Sequence, residues 1–412
     1  MENVRLDSWK RIAEYLQRSE RTVQRWQSMR HLPVHQIQGP GRGSVFAYAA
    51  ELNAWLVNSA DQMPALEVSP RAAPISQARE LWECRSEKNL DRIVEFCQSA
   101  IALNPQDAEA YGILACADVS ASLNDVVRPS RVFPSTRKAI EKALRYDPTQ
   151  PHALCARAWV RMWEDYAWDD SEAQFREVLA FQSDRSSFSF ACIGLASICC
   201  MRHEFDEAEI LLKRALTADP LSPSLNYGII HLQYRIGNYD RALSDAELAR
   251  ANGCDSAGIR VVVGLISLVL GRLEDAVREL SAAAQAYPNH PTIMGALGYA
   301  YAISGYEGQA RAILADLKRN VSVHANCFAY GIALVCLGLN DLDESLEWLQ
   351  EAYEDRPIWL LTIPFDQLFA PLNQYPRFLS LTNKMHLSKV PLLREKAVEC
   401  SDRQAPQRLA GE

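Results

Sequence analysis

The sequence has 412 residues, of which 48% are hydrophobic and 23% are charged, and its formal net charge is −8. This length allows two or three domains, and the composition excludes a disordered chain, a collagen and a small disulfide-rich protein. The longest apolar run, Val261 to Leu270, is about half of the ~20 residues that a membrane-spanning helix needs, so it predicts a buried helix.

The features that bear on cellular location favour the cytoplasm. The first sixteen residues, MENVRLDSWKRIAEYL, lack the apolar core and the cleavage site of a secretory signal. The eleven cysteines include no C-x-x-C pair, which fits a reducing compartment in which cysteine fills apolar space. We therefore expect a cytoplasmic protein.

Charge is unevenly distributed along the chain. Residues 1–57, which we call the head, contain eight Arg or Lys against five Asp or Glu, so the head is net basic and residues 58–412 are strongly acidic. An acidic chain is a poor nonspecific ligand of nucleic acid as a whole, but a basic part of it can bind phosphates. The two parts are expected to meet different partners.

The head begins with two predicted helices. Ser8 stands at an N-cap position before apolar residues with helical spacing, which predicts a helix over residues 8–16. Ser19 offers a second N-cap, and Val23 with Trp26 supplies the inner face of a helix over residues 20–29. Two short helices with a tight connection are typical of a helix-turn-helix, in which the second helix enters the major groove of DNA.

A hairpin and a third helix complete the head. LPVHQI, the glycine-rich GPGRGS (39–44) and VFAY predict two strands around a tip. With TVQRWQ at 22–27 and GRGSVFAY at 41–48, the head resembles the winged helix-turn-helix of the MerR and excisionase group, although its wing tip is longer and no dimerising coiled coil follows.

This resemblance implies that the head binds duplex DNA. Arg and Gln side chains on the second helix can reach base edges, whereas hydroxyls and the wing arginine suit phosphates. The predicted DNA-binding residues are Arg21, Thr22, Gln24, Arg25, Arg42 and Ser44. A solvated helix face that contacts no DNA is the alternative.

Residues 58–74 are rich in Pro, Ala and Ser and predict a flexible linker. Beyond them, alanine, large apolar residues and glycine each recur every 34 residues: Ala208, Ala242, Ala276 and Ala310; Leu195, Ile229, Val263 and Leu297; Gly237, Gly271 and Gly305. This period resembles the tetratricopeptide repeat and implies a mainly α fold, a right-handed α-solenoid of about eight helix pairs over residues 75–357. Capping helices over 358–400 and a tail over 401–412 would follow.

In tetratricopeptide repeat proteins, the first helix of each pair faces a concave groove that holds a protein or peptide. Carried onto this chain, the groove positions include Tyr227, His231, Tyr234, Tyr299 and Tyr330 and contain no Lys or Arg. The resemblance therefore implies a protein or peptide partner, but without the basic clamp for a terminal carboxylate. The alternative is that these rings pack inside the superhelix itself.

No catalytic, cofactor or metal motif stands out. His203 and Glu204 lack the second histidine of a metalloprotease motif, and the cysteines lack zinc-finger spacing. We predict a non-enzymatic DNA-binding regulator, without cofactor or membrane contact, whose repeats bind a protein or peptide. The alternative is an adaptor whose head docks proteins and does not bind DNA.

Overall fold

The structure is a computed structural model that describes most of the chain. The described residues are 5–16, 23–24, 26–27, 32–37, 44–52, 55, 74–84, 89–181, 184–321 and 327–387. The predicted linker lies outside them except for Pro74, the first residue of a helix, and the predicted tail lies outside them entirely.

The head contains a three-stranded antiparallel sheet. β1 (Arg5–Asp7), β2 (His35–Ile37) and β3 (Ser44–Tyr48) are arranged in the order β1-β3-β2, and helix α1 (Trp9–Tyr15) follows β1. Residues 23–24, 26–27, 49–52 and 55 are helical. The first helix and the β2–β3 hairpin lie where the sequence predicts them, whereas β1 is a strand that the sequence analysis did not predict.

One apolar cluster holds the head together. Alternate residues of β1 and β3, among them Leu6 and Ala47, turn to the same side of the sheet and pack on Ile12 of α1. Trp26 and Trp55 meet at a ring-centroid distance of 5.7 Å, which ties both helical stretches to this core.

Residues 74–355 form sixteen helices in the described part of the chain. In pairs, they are α2 (Pro74–Cys84) and α3 (Leu90–Leu103); α4 (Ala108–Leu123) and α5 (Pro129–Tyr146); α6 (Pro151–Glu164) and α7 (Trp168–Ala180); α8 (Arg185–Met201) and α9 (Phe205–Ala218); α10 (Pro223–Ile236) and α11 (Tyr239–Ala251); α12 (Ala257–Val269) and α13 (Leu273–Ala286); α14 (Pro291–Ile303) and α15 (Glu307–Asn320); α16 (Phe328–Gly338) and α17 (Leu342–Asp355). The first helices of consecutive pairs pack side by side. None of the described helices is both long and apolar enough to span a bilayer.

The 34-residue period coincides with these pairs. Ala208, Ala242, Ala276 and Ala310 lie in the second helices of the fourth to seventh pairs and are completely buried. A larger side chain at such a position would have to push neighbouring helices apart, because interiors are close-packed. The repeat predicted from the sequence is confirmed as a helical solenoid.

The turn inside each of the second to eighth pairs contains one residue in the left-handed conformation. In the fifth to seventh pairs this residue is Gly237, Gly271 or Gly305, with φ between 71° and 82°. The same turn holds Asp125, Tyr166, His203 and Asn340 in the second, third, fourth and eighth pairs, all with φ between 51° and 63°. A left-handed residue with a side chain costs about 1 to 2 kcal/mol relative to glycine, so these four positions need compensating contacts.

The chain ends in irregular helical structure. Two 3-10 helices, Ile358–Phe365 and Gln367–Leu372, make up what we call the C-terminal segment, and α18 (Pro376–Lys384) follows it. Large apolar side chains of this segment are buried: Leu360, Leu361, Ile363, Phe365, Leu368, Phe369 and Leu372. They belong to the same core cluster as residues of the first four pairs and of the eighth pair.

Candidate functional site

The predicted groove residues do lie together on the inner face of the solenoid. Tyr227, His231 and Tyr234 share one side of α10 because they are four and three residues apart, the spacing of one helix face. Tyr299 lies on α14 and Tyr330 on α16. Tyr234 and Tyr330 are almost completely buried, and the other three are partly buried.

The C-terminal segment occupies this inner face. The indole ring of Trp359 stands edge-on to Tyr227 and His231, at centroid distances of 6.2 and 6.4 Å. The hydroxyl of Tyr234 donates a 3.0 Å hydrogen bond to Oδ1 of Asp366. A partner could therefore reach the buried Tyr234 and Tyr330 only if the C-terminal segment left and exposed its own apolar side chains.

A buried carboxylate joins distant repeats beside this segment. Asp125, in the turn between α4 and α5, accepts hydrogen bonds at Oδ2 from the hydroxyl of Thr292 on α14 and from Nε1 of Trp359. The Asp125 side chain has no solvent exposure, and burial raises its pKa. The turn of the second pair is thus connected to the seventh pair and to the C-terminal segment.

A second group of contacts connects the early repeats to the end of α17. The guanidinium of Arg128 pairs with Asp355 at 3.1 Å and donates to the carbonyl of Val321 at 2.8 Å. Nε1 of Trp163 donates to the carbonyl of Arg356 at 2.7 Å. The second and third pairs therefore contact the eighth pair, and the C-terminal segment lies between them.

The inner face around α10 combines aromatic rings with one cation, Arg235, whose guanidinium lies 4.9 Å from the centroid of the Phe365 ring. Burial lowers the pKa of His231 to about 3, so this imidazole is neutral at physiological pH. Burial also raises the pKa of Asp366, which accepts hydrogen bonds from the Tyr234 hydroxyl and the Leu368 amide. Aromatic and apolar contacts dominate this environment.

We expect Tyr234→Phe to lower the free energy of unfolding by about 1 to 3 kcal/mol, because it removes a donor from the buried Asp366. The matched control is Tyr306→Phe, which alters an exposed hydroxyl and should have almost no effect. Urea denaturation of both variants measures the difference. Equal stability of the two variants would show that the bond to Asp366 contributes nothing.

Four of the six predicted DNA-binding residues, Arg21, Thr22, Arg25 and Arg42, lie outside the described residues. Gln24 is helical and exposed, and Ser44 is the first residue of β3. Their role in DNA binding stays a prediction.

One group of potential metal ligands occurs among the described residues. Ligand atoms of Cys199, Glu204 and Glu207 lie within 4.8 Å of one another. Glu207 is already paired with Arg176 at 2.8 Å, and burial raises the pKa of the Cys199 thiol to about 12. Because one of its two carboxylates already has an arginine partner, this group by itself does not argue for a metal centre.

Comparison with known proteins supports the repeat assignment. Residues 202–257 match the tetratricopeptide repeat family. No curated protein sequence matches the chain at a significant level. The matched residues run from the turn after α8 to the first residue of α12 and so include α9, α10 and α11.

Solved structures resemble the fold at low sequence identity. A human IFIT1 dimer with m7Gppp-AAAA shares 15% identity at a TM-score of 0.52, over 81% of this chain and 78% of that one. A Rap protein complexed with Competence and Sporulation Factor shares 14% identity at a TM-score of 0.51, over 77% of this chain and 96% of that one. The Cut9–Hcn1 assembly shares 14% identity at a TM-score of 0.51, over 81% of this chain and 59% of that one. These likenesses concern the helical repeats, and the winged helix-turn-helix assignment of the head stays a prediction.

Proposed function

We propose that this chain is a non-enzymatic, cytoplasmic scaffold whose tetratricopeptide repeats bind a protein partner. The observation that carries the proposal is the continuous stack of eight helix pairs, which offers a large surface of repeated shape. Two solved structures of similar fold support the proposal, because each contains more than one component. One is a Rap protein complexed with Competence and Sporulation Factor, and the other is the hetero-tetramer Cut9–Hcn1. This is the adaptor interpretation of the sequence.

The scaffold proposal is tested by affinity purification of the full chain from its native cells. A protein recovered in near-stoichiometric amount, and in the reciprocal purification, would support it. The control is Ala276→Arg, which forces a long side chain into a completely buried helix crossing and should disrupt its repeat. Recovery of the same proteins with the wild-type chain and this variant would overturn the proposal.

We propose as a second function that the head binds duplex DNA. The specific observation is the order β1, α1, helical residues at 23–24 and 26–27, and the β2–β3 hairpin, in a part of the chain with an excess of Arg and Lys. This arrangement suits a helix-turn-helix with a wing. A head that docks proteins without DNA is the competing interpretation.

If the head binds DNA, Arg25→Ala should weaken specific binding by about 1 to 3 kcal/mol and relax the base preference at one position. Lys10→Ala is the control, because Lys10 is an exposed residue of α1 and its loss changes the charge equally. Gel-shift titrations at two salt concentrations measure both effects, since phosphate contacts make affinity fall with salt. Unchanged affinity and base preference for both Arg21→Ala and Arg25→Ala would contradict the assigned recognition helix.

A further inference from the structure

An arginine without an acidic partner lies beside the C-terminal segment. Arg235 is in the last turn of α10 and is partly buried, and its guanidinium lies over the Phe365 ring at 4.9 Å from the ring centroid. Its Nη2 atom is buried and has no hydrogen-bond partner among the described residues, and none of their carboxylates forms an ion pair with it. The described part of the chain therefore leaves this charge without a counter-charge in contact.

Other partly buried arginines of the solenoid do have carboxylate partners. Arg128 pairs with Asp355 at 3.1 Å, and Arg250 pairs with Glu279 at 2.7 Å. Arginine is seldom buried without such a partner, because taking its N–H groups out of water costs free energy unless acceptors replace the water. We therefore looked for the acceptor that Arg235 lacks.

The adjacent Asp366 does not supply this acceptor. Its Oδ1 atom accepts hydrogen bonds from the hydroxyl of Tyr234 and from the amide of Leu368, both at 3.0 Å. It forms no ion pair with Arg235, although it follows Phe365 directly in the chain. An acceptor for Arg235 must therefore come from outside this group of residues.

A second unsatisfied nitrogen lies beside the same phenyl ring. The imidazole of His203, in the turn of the fourth pair, lies 5.8 Å from the Phe365 ring between centroids. Its Nε2 atom is buried and also has no hydrogen-bond partner in the described part of the chain. Burial and the nearby charge of Arg235 both lower the pKa of His203, so the ring is neutral at physiological pH and can donate one hydrogen bond.

The chemistry of these groups selects a carboxylate. A guanidinium presents a planar fork of N–H groups that matches the two oxygens of a carboxylate, and the neutral imidazole adds a donor without adding charge. One cation balances the single charge of a carboxylate. A phosphoryl group carries about 1.5 to 2 negative charges at neutral pH, which this one cation would leave only partly balanced.

We propose that Arg235 and His203 bind a carboxylate group of a partner segment beside the Phe365 ring. This inference rests on the proposed scaffold function and names a chemical group that the partner presents. The three residues, which we call the carboxylate site, come from α10, from the turn of the fourth pair and from the C-terminal segment. The site therefore requires the C-terminal segment to stay in place, because Phe365 belongs to it.

The test titrates sodium acetate into the nitrogen-15-labelled full chain, with sodium chloride exchanged out so that the ionic strength stays constant. The readout is the imidazole NMR signal of His203, identified by its loss in His203→Asn, since asparagine tolerates the left-handed φ of 63° at this position. We expect a saturable shift of this signal. Arg235→Met removes the charge and keeps a long side chain over Phe365, so it should weaken acetate binding by at least about tenfold.

The matched control is Arg214→Met, because the guanidinium of Arg214 also lies 4.9 Å from the centroid of a phenyl ring, that of Phe188, but Arg214 is exposed. This variant should change acetate binding by less than about twofold. Circular dichroism confirms that each variant is folded. If Arg235→Met does not fold, Arg235→Lys keeps the charge but loses the planar fork, and it should weaken acetate binding by at least about threefold.

Absence of a saturable shift in the wild-type chain, or equal acetate affinity of the wild type and the folded Arg235 variant, would overturn the proposal. Tighter binding of inorganic phosphate than of acetate, in the same titration, would overturn the choice of a carboxylate. Affinity purification then tests the source of the carboxylate, because Arg235→Met should lower partner recovery by at least about fivefold relative to Arg214→Met. Equal recovery would overturn the partner as that source.

The two proposals can fail separately. The acetate titration needs no partner, so its failure defeats the carboxylate site while a partner recovered with the wild-type chain still supports the scaffold function. If no partner is recovered at all, the scaffold function fails, and the partner fails with it as the source of the carboxylate, whatever the titration shows.

Discussion

Phe369→Ala is expected to lower the free energy of unfolding by about 3 to 5 kcal/mol, the usual cost of removing a buried phenyl ring. Phe369 has no solvent exposure, and its ring lies 5.9 Å from the ring of Tyr330 on α16. The loss would leave a cavity between the C-terminal segment and the eighth pair. The effect is large because this segment is part of the core of the solenoid.

The matched control for Phe369→Ala is Phe181→Ala, at a ring that is 42% exposed at the end of α7. This change should lower the free energy of unfolding by less than about 1 kcal/mol. Denaturant titrations followed by circular dichroism compare both variants with the wild-type chain. A Phe369 variant no less stable than the control would mean that the C-terminal segment is only loosely attached.

Gly331→Ala should destabilise the protein by at least about 2 kcal/mol, although alanine is the better helix former by about 1 kcal/mol. At Gly331, a Cβ atom would lie 2.3 Å from the carbonyl oxygen of Pro291, and at Gly295 it would lie 2.5 Å from Cα of Gly331. Backbone atoms cannot rotate away as a side chain can. Helices α14 and α16 would have to move apart.

Gly308→Ala is the control for this substitution, because Gly308 lies in α15 and a Cβ there would meet no atom within 4 Å. Its stability should be unchanged or higher by up to about 1 kcal/mol. Thermal and urea denaturation distinguish the two variants. Equal effects of both substitutions would contradict the close approach of α14 and α16.

The solenoid could be predicted from the sequence because its repeats obey one constraint. Each pair must place a small residue at the crossing and a left-handed residue at the turn, so Ala276 and Gly271 recur in register with their equivalents. In the second to fourth pairs, Asp125, Tyr166 and His203 stand in the turn where the next three pairs have glycine, so the glycine period does not extend to them. These side chains contact residues far along the chain, and a periodic sequence pattern does not reveal such contacts.

The occupant of the groove could not be predicted in the same way. The sequence placed Tyr227 and Tyr234 on the inner face, but their contacts are with Trp359 and Asp366, more than a hundred residues further along. The C-terminal segment is 3-10 helical and nearly all apolar, so neither the strand period nor the α-helix period marks its buried face. Two of the turns that it contacts hold Asp125 and His203 where the fifth to seventh pairs hold glycine.

We expect the C-terminal segment to stay packed on the inner face of the solenoid, and amide hydrogen exchange of the full chain tests this most directly. Exchange measured by mass spectrometry reports local opening separately for each part of the chain. If this expectation holds, peptides covering residues 358–372 will exchange as slowly as those covering α10, whose Tyr234 bonds to Asp366. Complete exchange of residues 358–372 within seconds, while α10 stays protected, would contradict this expectation. The groove would then be accessible to a partner.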